Sequence, residues 1–361
     1  MARARSTAGS AGAWSAWLAL CLVSLLLSGC GAQIHRQQAY VFGTLVEITL
    51  HGEDPGKARQ AADALLRDFD RMHRDLHPWE PGPLEALNSR LARATPRTPA
   101  RIDLATQAEL HAILTDATRM SILSEGLFNP AIGNLVRLWG FHGDTFTPRL
   151  PDPVAIARLV AARPGMGDLQ WQGDVLVCRN PAVRIDLGGY AKGYALDRAA
   201  RLLRDQGVKN ALINIGGNIM ALGDKGGTPW KVGIQHPRRA GALAVLALRD
   251  GEAIGTSGDY QRFFEVDGRR YSHLIDPRTG WPARQAQAVT VIARGPGAGV
   301  LSDVASKPLF IASATDWRRL AGKMGIDEAL RVAADGTIHV TRAMNSRLEW
   351  ERPVSTVRVE E

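Results

Sequence analysis

The chain has 361 residues, 44 Lys and Arg against 36 Asp and Glu, and a formal net charge of +8. That length can bury a large core in one or two domains, and no Ser/Pro/Gly-rich linker divides it. The basic excess is spread along the chain with no block interleaved with aromatics, which argues against a nucleic-acid partner and suits an anionic lipid surface or small molecule.

The chain opens with Arg3 and Arg5, an apolar run from Trp14 to Leu27 and the string Leu27-Ser28-Gly29-Cys30. A positive start, an apolar stretch too short to span a bilayer comfortably and a small-residue exit predict a secretory signal over 1–29. The string resembles a bacterial lipobox, which implies acyl chains on Cys30, a tether over 30–37 and a body held at the periplasmic side of a bacterial membrane. Gly31 and Ala32 lack the Asp of the inner-membrane retention pattern, which points to the outer membrane. Cys21 leaves with the signal, so Cys178 is the remaining thiol and no intramolecular disulfide is expected. It sits in the apolar run Val175-Leu176-Val177-Cys178, the pattern of a core strand.

Alternation predicts a strand from Gln38 to Leu50, followed by a helix over Pro55 to Leu76 with Ala62, Leu65, Leu66 and Phe69 on one face. A second helix is expected over Leu104 to Glu125. Strands follow near Leu169 to Trp171, Val175 to Cys178 and Val183 to Leu187, then a helix from Ala191 to Gln206 with Asp197 and Arg198 outward. Further strands are predicted at Ala211 to Asn214, Ile219 to Leu222, Trp230 to Gln235, Leu243 to Arg249, Ala253 to Ser257, Gln261 to Val266, Arg269 to Leu274 and Ala288 to Ala293. Helices over Ser302 to Ala312 and Thr315 to Met324 close the pattern. Pro308 suits the former only in its first turn or two. Runs of strands broken by isolated helices predict an α+β fold, a single body of mixed, largely antiparallel strands. Loops are expected at Glu80 to Pro83, Thr95 to Ala100, His142 to Pro153 and Gly223 to Pro229.

Four segments concentrate chemistry. In Asp186-Leu187-Gly188-Gly189-Tyr190-Ala191-Lys192 a strand ends at a carboxylate, two glycines turn the chain and a helix begins with a lysine, a good setting for an anion although also an ordinary tight turn. Asn214-Ile215-Gly216-Gly217-Asn218 reads first as a hairpin. The run Thr256 to Arg262, followed by Tyr271-Ser272-His273-Leu274-Ile275-Asp276-Pro277-Arg278-Thr279-Gly280, offers His273 as a base or phosphate ligand beside turn residues, although by itself such a histidine more often has a structural role. In Ser302-Asp303-Val304-Ala305-Ser306-Lys307-Pro308 the carboxylate and the ammonium stand one helical turn apart and can meet on one face, by itself the pattern of an ordinary surface pair.

These segments, with Phe42-Gly43-Thr44, Phe128-Asn129-Pro130-Ala131-Ile132-Gly133 and Leu138-Trp139-Gly140-Phe141, resemble the ApbE family, the FAD:protein FMN transferases, in order from Tyr40 to Ala312. The resemblance implies a domain over 38–345, a C-terminal tail over 346–361 and FAD bound between lobes. It also implies a reaction in which FAD is cleaved, FMN is joined by a phosphoester to Thr or Ser of an exported acceptor flavoprotein, and AMP leaves. By similarity Asp186 and Lys192 contact FAD, Phe42 and Trp79 lie against its rings, the backbone at Leu274 approaches it, and His273 is the general base. The family's Mg²⁺ is implied to be held near Gly189, by Asp303, and by a Thr four residues later. Lys307 stands in that last place, and an ammonium has donors only. Three readings stay open: Ser302 or Ser306 supplies the oxygen, the ammonium takes the metal's place, or the site is disabled and the chain is a non-catalytic FAD-binding lipoprotein serving as carrier, sensor or assembly factor. An FAD pyrophosphatase is an intermediate form of the enzyme reading.

Overall fold

The computed structural model describes residues 33–143, 145–354 and 356–360; the signal stretch and Cys30 lie outside the described residues. Nine strands form the main sheet in an order that follows the chain: β1 (Ile34–Val41), β2 (Thr44–His51), β3 (Ala211–Ile215), β4 (Asn218–Leu222), β5 (Ala253–Gly258), β6 (Ala286–Ala293), β7 (Glu328–Ala333), β8 (Ile338–Thr341) and β9 (Val357–Glu360). All neighbours are antiparallel except β8 and β9, which run parallel. Mixed helices and a largely antiparallel sheet are the α+β architecture that the pattern predicts.

The strand expected over Gln38 to Leu50 is a hairpin instead, paired from Ile34↔His51 to Val41↔Thr44. Phe42 and Gly43 make its two-residue turn with φ of 57° and 68°. Both central residues of such a turn need positive φ to match the strand twist, and only Gly43 is a usual occupant. β1 starts at Ile34, within the stretch read as a tether. The stretch 346–361 read as a tail also pairs: Glu349–Trp350 joins Ala242–Leu248, and β9 extends the main sheet.

One face of the sheet is covered by three helices, α1 (Pro55–Asp75), α2 (Ala191–Asp205) and α3 (Ala298–Ile311). α1 starts where Asp54 accepts from the Gly56 and Lys57 amides ahead of a first-turn proline, and it buries Ala58, Ala62, Leu65, Phe69 and Met72. The other face packs Ile254, Ile292 and Leu330 against Trp230, Val232 and Leu246 of the small sheet built on Trp230–Gln235 and Ala242–Leu248. A third apolar cluster joins Leu135, Trp139, Phe141 and Ile156 to Phe264 and Tyr271 of the hairpin Phe263–Val266/Arg269–Ser272. Trp139 stacks on Tyr271 at 5.7 Å, and its indole N–H donates to the Gly280 carbonyl at 2.8 Å. The helices Gly133–Leu138 and Pro153–Ala161 of this cluster, and Pro83–Leu91, were not expected from the pattern.

Three further departures have tertiary causes. Val183 to Leu187 is not a strand but an extended segment with one bridge, Ile132↔Arg184. Buried Asn88 replaces a strand partner there, donating to the Ile185 carbonyl at 2.8 Å and accepting from its amide at 2.7 Å. α3 begins at Ala298, four residues before the expected start, because Asp197 of α2 caps it, accepting from the Gly299 and Val300 amides at 2.8 Å each. Asp197 is therefore not outward; burial pushes its pKa up to about 6. Pro308 consequently lies near the end of α3, not in its first turns, and has no N–H to give the carbonyl one turn back. α2 and α3 touch through bare backbone: a Cβ on Gly193 would sit 2.4 Å from the Gly299 carbonyl oxygen, and one on Gly299 2.4 Å from that of Gly193.

Candidate functional site

A cavity of about 720 Å³ opens between the β1–β2 turn, the end of α1, the Asp186–Lys192 turn, the Gly216-Gly217 hairpin, the third apolar cluster and α3. Phe42, Trp79, Asp186, Gly189, Lys192, His273, Leu274, Asp303 and Lys307 all line it. Of the candidate site residues, Cys30, expected to carry lipid, lies outside the described part. The Gly216-Gly217 turn is the hairpin expected, with φ of 57° and 90°, and it also borders the cavity.

Phe42 is held with its ring against Phe69 and edge-on to His73, in a backbone conformation that bulky residues rarely adopt. Such a turn stores about 1 kcal/mol of strain, so the ring has a reason to be there beyond the hairpin. Phe42→Asn keeps the turn conformation and removes the ring. It is expected to leave unfolding free energy within about 1 kcal/mol of the parent and to weaken binding of a flat aromatic ligand in the cavity about tenfold, readable by calorimetric titration.

Trp79 is positioned by groups that sequence reading missed. The His77 ring nitrogen Nδ1 accepts from the Trp79 and Glu80 amides at 3.3 and 2.9 Å, and the Arg184 guanidinium lies 4.4 Å from the indole centroid. No local pattern announces Arg184, because it arrives from an extended segment more than a hundred residues away.

On the opposite wall Asp186 Oδ1 accepts from the Gly188 amide at 2.8 Å and Lys192 Nζ donates to the Gly188 carbonyl at 3.1 Å. The turn at the start of α2 thus carries a carboxylate bonded to the Gly188 amide and an ammonium bonded to the Gly188 carbonyl. Burial holds the Asp186 carboxyl above its ordinary pKa, opposed by the Gly188 amide and by the Arg262 guanidinium.

His273 follows directly on the strand Arg269–Ser272 and is tied to Arg262: its amide donates to the Arg262 carbonyl at 3.0 Å, and Nδ1 lies 3.2 Å from the same oxygen. A carbonyl only accepts, so Nδ1 carries the hydrogen and Nε2 keeps its lone pair. Burial, reinforced by the Arg262 guanidinium, pushes the His273 pKa down to about 3, so the ring is neutral at pH 7. Arg262 itself spans to the Phe141 and Gly143 carbonyls at 3.2 and 2.7 Å. The neighbouring polar residues are scaffold: Asp276 pairs with Arg278, and Asp259 with Arg238. The Leu274 carbonyl accepts from the Ala283 amide at 2.8 Å, fixing the peptide beside His273.

Comparison with known proteins matches the described part of the chain to the ApbE family model over residues 42–330. This chain belongs to the ApbE family. It is 42% identical over 310 residues to an FAD:protein FMN transferase of Rhodobacter capsulatus, covering 86% of this chain and 57% of that protein. A second, from Vibrio cholerae, is 32% identical over 285 residues, covering 76% and 82%. The fold of the ApbE protein of Thermotoga maritima superposes with a TM-score of 0.78 at 30% identity over 89% of this chain and all of that one, and the flavin transferase ApbE from Vibrio cholerae with 0.73 at 25%, over 88% and 99%. This chain spans little more than half the length of the Rhodobacter relative and of a Klebsiella pneumoniae relative that is 41% identical over 181 residues.

The magnesium ion implied for ApbE proteins does not fit the residues found here. Lys307 Nζ donates to Asp303 Oδ1 at 2.5 Å and to the Asp303 carbonyl at 2.6 Å, while Asp303 Oδ2 accepts from the Gly193 amide at 2.9 Å. Both carboxylate oxygens thus face donors. The lysine stem covers Gly189, where a Cβ would lie 2.9 Å from Lys307 Cε. Ser302 and Ser306 do not supply the missing oxygen: both are fully buried, Ser302 donating to the Gly299 carbonyl at 3.0 Å and Ser306 bonded to the Asp303 carbonyl at 2.8 Å and to Ser257 at 2.7 Å. Burial opposes the Asp303 charge, but Lys192 and Lys307 outweigh it and hold the carboxyl below its ordinary pKa.

Proposed function

We propose that this protein is an FAD:protein FMN transferase acting on an exported acceptor flavoprotein. The observation that carries the reading is a single cavity bringing together aromatic residues, an Asp–Lys turn at a helix start and a neutral histidine whose Nε2 has no hydrogen-bond partner among the described residues. Its volume suits a ligand of dinucleotide size in part-buried form. Phe42 and Trp79 offer faces for flat rings, and Lys192 offers positive charge for a diphosphate.

In the proposed reaction the acceptor Thr or Ser hydroxyl oxygen attacks the phosphorus on the FMN side of FAD. The hydroxyl proton passes to His273 Nε2, the bond from that phosphorus to the bridging oxygen breaks, and AMP leaves with the bridging oxygen. Arg262, fixed by two main-chain carbonyls, keeps the histidine ring oriented through its own carbonyl. In ApbE relatives Mg²⁺ would add charge neutralisation; no step here is assigned to it. We place the protein, by Leu27-Ser28-Gly29-Cys30, on a lipid anchor at the periplasmic side of a bacterial membrane, and the start of β1 at Ile34 leaves a tether of only a few residues.

Incubating the purified protein with FAD and an acceptor domain bearing a Thr-containing loop is expected to raise the acceptor mass by one FMN and release AMP. AMP and free FMN without acceptor modification would make it a pyrophosphatase. FAD binding with neither product would make it a flavin carrier, provided an active relative modifies the same acceptor.

A further inference from the structure

We propose that the Lys307 ammonium is the resident cation of this cavity: it holds Asp303 and donates its remaining N–H to a diphosphate oxygen of FAD, so that FAD binds without a divalent metal. The inference rests on the flavin-transfer reading and goes beyond it, since it replaces a component that the family resemblance implies.

An ammonium has three hydrogens in tetrahedral array. Two are committed to Asp303, at Oδ1 and at the main-chain carbonyl, and among the described residues the third has no partner. Lys307 borders the cavity together with Lys192, Gly188 and His273, the groups that face the proposed diphosphate. The lysine stem lies against the Gly188-Gly189 turn, so closely that a Cβ on Gly189 would sit 2.9 Å from Lys307 Cε and 3.0 Å from Cδ. A divalent cation there would also meet two ammonium groups, because Lys192 lies on the same turn. The lysine is no loose surface residue. Asp303 is 1% exposed and Lys307 16%, and α2 clamps the pair through the Gly193 amide. Because Asp303 and Lys307 cancel, the fixed charge offered to the substrate is smaller than that of a carboxylate with a doubly charged ion. Binding survives this loss better than turnover, because phosphoryl transfer draws on neutralisation at the transition state.

The test reads metal and flavin separately on the full chain. Mn²⁺ binding is followed by electron paramagnetic resonance, and FAD affinity is titrated in EDTA and in millimolar Mg²⁺, for the parent, Lys307→Met and Lys307→Thr. The parent is expected to bind no Mn²⁺ and to hold FAD equally, within about twofold, in both conditions. Lys307→Met, which keeps the stem and removes the charge, is expected to bind FAD about tenfold more weakly. Lys307→Thr is expected to gain one Mn²⁺ and an FAD affinity that EDTA lowers. Mn²⁺ uptake by the parent, EDTA-sensitive FAD binding by the parent, or unchanged affinity in a folded Lys307→Met would each overturn the proposal. If the parent binds no FAD in either condition, the transferase reading fails, while the Mn²⁺ arm still decides whether Lys307 keeps metal out.

Discussion

His273→Ala is expected to lower the rate of acceptor flavinylation by about a hundredfold or more while FAD affinity stays within about threefold. Nδ1 is occupied by the Arg262 carbonyl, the ring is neutral, and Nε2 is left as a proton acceptor in the cavity. A residue that only packed would lower affinity and stability together. A base lowers kcat and leaves binding. The pH dependence makes a second, independent reading. An ordinary histidine would give kcat/KM an acid limb near pH 6.5. With the free-enzyme pKa pushed down to about 3, no break is expected there, and the limb moves into the acid range. Linkage has a definite sign. The unfolded chain binds the His273 proton below about pH 6.5 and the folded one only near 3, so stability declines as pH falls between these values, and His273→Ala removes that part of the decline. A break at pH 6.5 that disappears in His273→Ala would mean a solvated histidine and would sink this account.

The second large effect lies away from the chemistry. Gly193→Val is expected to destabilise the fold by about 3 kcal/mol, measured by urea unfolding, and to weaken FAD binding in whatever folded protein remains. A Cβ at 193 would meet the Gly299 carbonyl oxygen at 2.4 Å and Val300 Cα at 2.7 Å, all backbone, so the clash cannot be relieved by a rotamer change. α2 and α3 must separate. Two capping contacts go with that movement, the Gly193 amide on Asp303 and the Asp197 carboxylate on the start of α3. Stability and flavin affinity should therefore fall together. A folded Gly193→Val of parental stability would show that the helices tolerate separation and that Asp303 is placed by something else.

The same helix pair marks the boundary between what could be read along the chain and what could not. Gly188, Gly189 and Lys192 were legible as a tight turn into a helix that begins with a lysine, because two glycines and a helix start are local features with a local geometry. The α1 and α2 helices and most central strands were legible for the same reason: their periodicity reports a single buried face. β7, β8 and the edge strand β9 were missed. β7 is buried on both faces and so loses its alternation, and the short outer strands carry too few residues for a period.

What the sequence by itself determined is the inventory: an α+β body, the His273 segment, the Asp–Gly–Gly–Lys turn, and a lysine where an oxygen ligand was expected at 307. Chemistry of this kind resides in side-chain type and needs no coordinates. Only the tertiary structure decided the rest. It started α3 at Ala298, through a carboxylate borrowed from α2. It turned Ser302 and Ser306 away from the cavity, folded Phe42 into a strained turn against α1, and laid Lys307 across Gly189 onto Asp303. Each of these depends on contacts between segments far apart in the chain. Such contacts follow from how buried faces and unpaired backbone donors are satisfied in three dimensions, and not from any spacing along the sequence.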